Sequence, residues 1–124
     1  MYSLKLNADF MILRINMIGG ICVQLEKLRD DKIIRQLFTA ILQLENIEDV
    51  YQFFDDLSTV NEIQSMAQRL EVARMLRLGY TYNQIEKETG ASTATISRVK
   101  RCFQYGTDGY QLVLDRMQQI DETP

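Results

Sequence analysis

A chain of 124 residues, 46% hydrophobic and 25% charged, is one globular domain's worth of sequence, and its apolar content excludes a mostly disordered chain. It has no histidine, and its two cysteines, Cys22 and Cys102, fit no zinc or CxxC spacing, so two reduced thiols in a cytoplasmic protein without a metal are expected. The net charge of −3 argues weakly against a polyanionic partner, but Met66 to Tyr105 carries seven bases (Arg69, Arg74, Arg77, Lys87, Arg98, Lys100, Arg101) against three acids (Glu71, Glu86, Glu88), so +4 sits there and −7 elsewhere.

Residues 1–22 differ in character from the rest of the chain. They are apolar and irregular, yet Asp9 and Arg14 interrupt any signal-peptide core, and no run approaches a membrane span. Ile21 before Cys22 does not suit a lipoprotein signal. Gly19-Gly20 can be encoded by a ribosome-binding sequence, and Val23, soon after, can be encoded by GTG, a usable bacterial start codon. The expectation is an atypical extension over 1–22, with the true start near Val23. The domain then runs over 23–120, with a frayed tail over 121–124.

From Leu25 the pattern is helical. Leu25, Leu28, Ile33, Ile34, Leu37, Phe38, Ile41, Leu42 and Leu44 recur at three- and four-residue steps and predict one buried stripe. Asn46 can cap a second helix whose wide apolar face (Ile47, Val50, Tyr51, Phe53, Phe54, Leu57) exceeds the needs of one small core. Part of it is therefore expected to meet a partner chain. Thr59-x-x-Glu62 is a capping box opening a third helix with Ile63, Met66, Ala67, Leu70, Val72, Ala73, Met75 and Leu76, and Gly79 closes it.

Thr81 caps a short helix and Gln84 completes a second box. Ile85 is its one strongly apolar residue and Gly90 its end. Ala91 fits a tight connection, and Ser92 opens a further helix. A short helix, a glycine turn and a second helix form a helix-turn-helix, here within about Asn61 to Tyr105. On the second helix Ile96, Val99 and Phe103 share an anchoring face. Thr93, Thr95, Ser97, Arg98, Lys100 and Arg101 remain for solvent or ligand. Short hydroxyls can enter a major groove, arginine can donate bidentately to guanine, and amides at the helix start can meet phosphates. The DNA-facing candidates are Thr81, Ser92, Thr93, Ala94, Thr95, Ser97, Arg98, Lys100 and Arg101. Beyond them, Asp108 can cap a last helix with an apolar face of Tyr110, Leu112, Val113, Leu114 and Met117.

The run Gly90-Ala91-Ser92-Thr93-Ala94-Thr95-Ile96-Ser97-Arg98 resembles the turn and recognition helix of the Trp repressor family. Phe53-Phe54-Asp55-Asp56-Leu57, Asn61-Glu62-Ile63-Gln64-Ser65, Gln68 to Leu76 and Tyr80-Thr81-Tyr82 resemble its YerC/YecD subgroup from Gram-positive bacteria. The likeness covers about Leu25 to Met117. It implies an all-α fold of six helices, an intertwined homodimer, and two reading heads on a pseudo-palindromic operator in double-stranded DNA. It also places the corepressor positions of that family on Thr59, Arg69, Arg98 and Cys102. Val99, however, stands where the family has a pocket glycine, and Cys102 where it has a serine. The expectation is that tryptophan is not bound, that Arg69 pairs with acids and that Arg98 contacts DNA.

The function expected is sequence-specific regulation of transcription, of the repressor kind. The alternative is a helix-turn-helix-shaped module that docks only on protein. An enzyme is not expected. Asp30-Asp31 and Asp55-Asp56 are adjacent on helices, point about 100° apart and read as solvated faces.

Overall fold

The computed structural model describes residues 25–121, so the extension over 1–22 and its proposed start at Val23 lie outside the described residues. Among those described, a 3-10 turn (Leu25–Leu28) precedes six α-helices: α1 (Lys32–Ile41), α2 (Ile47–Leu57), α3 (Val60–Arg77), α4 (Tyr82–Thr89), α5 (Thr93–Tyr105) and α6 (Gly109–Asp121). No strand occurs among them. Asp121, expected in the tail, closes α6.

Short polar side chains decide where the first helices begin. Asp31 is an N-cap: its Oδ1 accepts the amides of Ile33 at 2.9 Å and Ile34 at 3.1 Å. This corrects one expectation and adds to another. The stripe does not run unbroken from Leu25, and Asp31, exposed to solvent as expected, also uses its carboxylate to start a helix. Asn46 caps α2 as expected, accepting the Asp49 amide at 2.9 Å, and the Asp49 carboxylate reaches back to the Glu45 amide at 3.0 Å. Phe53 and Phe54 meet edge to face on α2, with ring centres 5.6 Å apart.

The capping box of α3 is closed in both directions. The Thr59 hydroxyl accepts from the Glu62 amide at 3.2 Å, and the Thr59 amide donates to Glu62 Oε2 at 2.7 Å. The bond from the Thr59 amide, and after it that from the Thr59 side chain, hold the Glu62 carboxyl below the usual carboxylate range. A carboxyl depressed in the folded state stabilises above its unfolded pKa, and that contribution is lost as pH falls through the folded value. Glu62→Gln keeps an acceptor in the box but cannot titrate. Its melting temperature should therefore fall less than that of the parent between about pH 6 and pH 3. Equal acid sensitivity would show that the box does not contribute this term.

At the far end of α3 the chain reverses through Gly79, whose φ of 84° is left-handed. The Tyr80 amide donates to the Met75 carbonyl and the Gly79 amide to that of Leu76, both at 3.1 Å, which is the Schellman arrangement. Asp108 opens α6 through its carbonyl, which accepts the Leu112 amide at 2.9 Å, with its own backbone left-handed at φ 62°.

The core gathers on the second half of α3. Val72, Ala73 and Met75 are buried with Ile85 of α4, Ala91 of the turn, Ile96 and Val99 of α5, and Leu114 of α6. Leu70, Leu76, Tyr82, Phe103 and Tyr110 pack around them. Arg77 fastens α6 to this spine through Asp115 at 2.5 Å and Gln118 at 3.5 Å. The first half of the fold is different. No residue of α1 or α2 is buried, and every residue from Val60 to Ala67 is exposed. The expected stripe is thus not buried within one chain: Ile33 and Leu42 are each 80% exposed. The physical reason is that the core closes on the second half of α3 and leaves these helices no covering layer.

Candidate nucleic-acid interface

α4 and α5 form the helix-turn-helix, and each is opened by its own sequence. Thr81 accepts the Gln84 amide at 3.3 Å, while the Thr81 amide donates to Gln84 Oε1 at 2.9 Å. The Thr81 hydroxyl also donates to Gln84 Oε1 at 3.1 Å, so this predicted DNA-facing group is already engaged in the cap, though exposed. Ile85 faces inward and is wholly buried. α4 ends at Gly90, whose φ of 69° would strain a residue with a Cβ by about 1–2 kcal/mol. Three residues, Gly90 to Ser92, separate the helices, and Ala91 is buried among the core residues, which explains why a small side chain stands there.

α5 carries the candidate reading surface. Ser92 caps it, accepting the Thr95 amide at 3.2 Å and donating to Thr95 Oγ1 at 3.1 Å. Ile96 and Val99 are sunk in the core, and Phe103 packs against it. Thr93 and Ala94 stand exposed at the helix start, and Arg98, Lys100 and Arg101 are exposed further along. Thr95 and Ser97, expected to be open, are half-buried. Thr95 is engaged with the Ser92 cap, and Ser97 is next in the chain to buried Ile96. The open surface is thus led by Thr93, Ala94 and the three cations.

One cation has a second role. Lys100 Nζ lies 5.6 Å from the centre of the Tyr82 ring, joining the middle of α5 to the start of α4. The Lys100 side chain remains exposed to solvent. Residues 18 apart on different helices leave no periodic signal, so the pair was not legible in the sequence. Nor was the bond from Gln68 Nε2 on α3 to the Thr89 carbonyl, at 3.0 Å.

The corepressor positions are only partly brought together. Arg98 and Cys102 lie one turn apart on α5, and Cys102 is half-buried. Thr59 is ten residues from Arg69 along α3, about 15 Å at helical rise, so these two do not share a pocket within one chain. The Thr59 hydroxyl accepts the Glu62 amide. Val99 is only 1% exposed and belongs to the core. The expected pairing of Arg69 with acids is absent: its side chain makes no ion pair or hydrogen bond among the described residues. Its helical neighbours at three and four residues are Met66, Val72, Ser65 and Ala73, none acidic. The nearby acid Glu71 is held by Arg74 through bonds of 2.8 and 2.6 Å. That grip keeps the Glu71 carboxyl below its ordinary range.

The family model for the Trp repressor protein matches residues 32–118, from the start of α1 into α6, and takes in the whole helix-turn-helix. The chain belongs to the Trp repressor family. Among Trp repressor relatives, it is 63% identical over 99 residues to the uncharacterised protein YerC of Bacillus subtilis, covering 80% of this chain and 94% of that protein. A crystal structure of a Trp repressor candidate from Staphylococcus aureus superposes with a TM-score of 0.73 at 63% identity, over 78% of this chain and 96% of that one. A TrpR-like protein from Eubacterium eligens gives 0.72 at 52% identity, over 75% and 95%. At such identities the Trp repressor fold and the six-helix, all-α reading agree in full. The family is one of regulators rather than enzymes.

Proposed function

We propose that this member of the Trp repressor family is a cytoplasmic regulator of transcription, of the repressor kind. It binds a pseudo-palindromic duplex site as a homodimer, without tryptophan. The observation that carries the reading is the two-sidedness of α5: Ile96 and Val99 are locked in the core, while Thr93, Ala94, Arg98, Lys100 and Arg101 face out. Arg98 donates to a guanine edge, Thr93 and Ala94 offer methyl groups to thymine, and Lys100 and Arg101 meet phosphates. The first turn of α5 points its amides at the backbone. Basic charge concentrated between Met66 and Tyr105, in a chain otherwise acidic, orients this face towards DNA.

The uncovered faces of α1, α2 and the first half of α3 support the dimer. A second copy brings a second reading head, and two heads spaced by about one helical turn read two half-sites. Val99 supports the ligand-free reading: it occupies a core position with a β-branched side chain where the family has a pocket glycine. No helix of the described residues is long and apolar enough to cross a membrane.

Selection of duplexes from a random pool tests the reading. The protein should enrich inverted repeats, identically with and without tryptophan. A pool that emerges without any preferred sequence would contradict it, and a preference that appears only with tryptophan would contradict its ligand-free part.

A further inference from the structure

The turn between α4 and α5 is held from outside as well as from within. Gln68, half-buried on α3, donates to the carbonyl of Thr89 across 21 residues of chain. Thr89 is the last residue of α4, so its carbonyl is one of the four that a helix leaves without an internal partner. The Thr89 hydroxyl donates to the Ile85 carbonyl at 2.7 Å and accepts the Ala91 amide at 3.1 Å. A relay of three hydrogen bonds therefore runs from the α3 spine, through the end of α4, into the turn. α5 opens two residues beyond Ala91.

We propose that Gln68 is a positioning residue: it fixes the tilt of the α4–α5 hairpin on α3, and so sets where Thr93, Ala94 and Arg98 point. The consequence for DNA rests on the proposed function; the geometry does not. Apolar packing of Ile85, Ile96 and Val99 holds the hairpin against α3 but is not directional. A hydrogen bond is directional and supplies the missing constraint. Donation from an arginine to a base edge tolerates little angular error, whereas phosphate contacts position without specifying. Gln68 therefore governs selectivity among sequences rather than general affinity for duplex.

Two variants and two readouts test this on the full chain. Gln68→Met keeps the side-chain length and helix preference but removes the donor. Gln68→Lys returns a donor of similar reach. In free protein, amides from Gly90 to Thr95 should exchange about three- to tenfold faster in Q68M, the value of one hydrogen bond, with those of α6 unchanged. In Q68K they should return towards the parent rate. The second readout is preference for a duplex selected by the parent protein over a scrambled duplex of equal composition. It should fall about tenfold in Q68M, while binding to the scrambled duplex and its salt slope stay as in the parent. Q68K should recover the preference. Unchanged exchange in Q68M overturns the proposal. So does faster exchange with an unchanged preference, or an equal loss on both duplexes, which marks a merely structural bond. If the parent prefers no duplex, the DNA-binding function fails, and exchange alone still decides whether Gln68 anchors the hairpin.

Discussion

Ile63→Asp is expected to convert a dimer into monomers. Ile63 lies on the first half of α3, where every residue from Val60 to Ala67 is exposed within one chain. It shares a face with Ala67 and Leu70 at helical spacing. Close by in sequence, α2 presents Ile47, Tyr51 and Leu57, all exposed. In an isolated chain, aspartate at such a site faces water and changes stability by no more than about 0.5 kcal/mol. In the proposed dimer the same carboxylate is taken out of water with no partner, at a cost of several kcal/mol. Sedimentation equilibrium separates the two. The parent should weigh twice its 14.5 kDa chain mass, and the variant close to 14.5 kDa. Loss of the second reading head should also weaken binding to an inverted repeat by about a hundredfold or more, since the second contact is no longer intramolecular. A variant that remains dimeric would place the interface elsewhere.

Ile96→Ala should act on stability rather than on DNA. Ile96 is wholly buried and is one of eight buried side chains among the described residues. Deleting it leaves a cavity in a small core, which costs about 2–5 kcal/mol. Against a total of roughly 5–15 kcal/mol this is a large share, and the melting temperature should fall by roughly 10 °C or more. The side chain faces away from the reading surface. At a temperature where the variant remains folded, it should therefore bind duplex nearly as tightly as the parent. A melting temperature within about 3 °C of the parent would mean that Ile96 is not packed as described.

How much of this was legible depended on whether the cause was local. Thr59 with Glu62, Thr81 with Gln84, and the left-handed glycines at Gly79 and Gly90 are fixed by residues within four positions of one another, and the sequence announced each. Ile96 and Val99 announced themselves by spacing. The capping role of Asp31 did not, because a solvated carboxylate becomes a cap only where the neighbouring backbone presents free amides. The buried stripe of α1 was read from its period, but period reports only that a face is apolar, not that the same chain covers it. Acids expected beside Arg69 are not offered by its own helix, where Ser65, Met66, Val72 and Ala73 stand at the neighbouring positions. The pairs Lys100 with Tyr82, Gln68 with Thr89 and Arg77 with Asp115 bring distant residues together, and a single sequence carries no trace of such meetings.

If α5 meets duplex DNA through its outward cations, binding depends steeply on salt. In the proposed dimer, Lys100 and Arg101 of the two copies meet four phosphates. The slope of log affinity against log salt then carries a contribution of about −4 from them. The combined variant R98A/K100A/R101A should keep nearly the parent's melting temperature, since all three side chains are exposed and Lys100 alone among them packs on a ring. Removal of the Lys100–Tyr82 contact lowers that melting temperature by no more than several degrees, so binding is compared at a temperature where both proteins are folded. The variant should lose measurable binding at about 150 mM salt, with a much shallower slope at lower salt. A triple variant that binds duplex with the parent's affinity and slope would mean that α5 is not the reading helix.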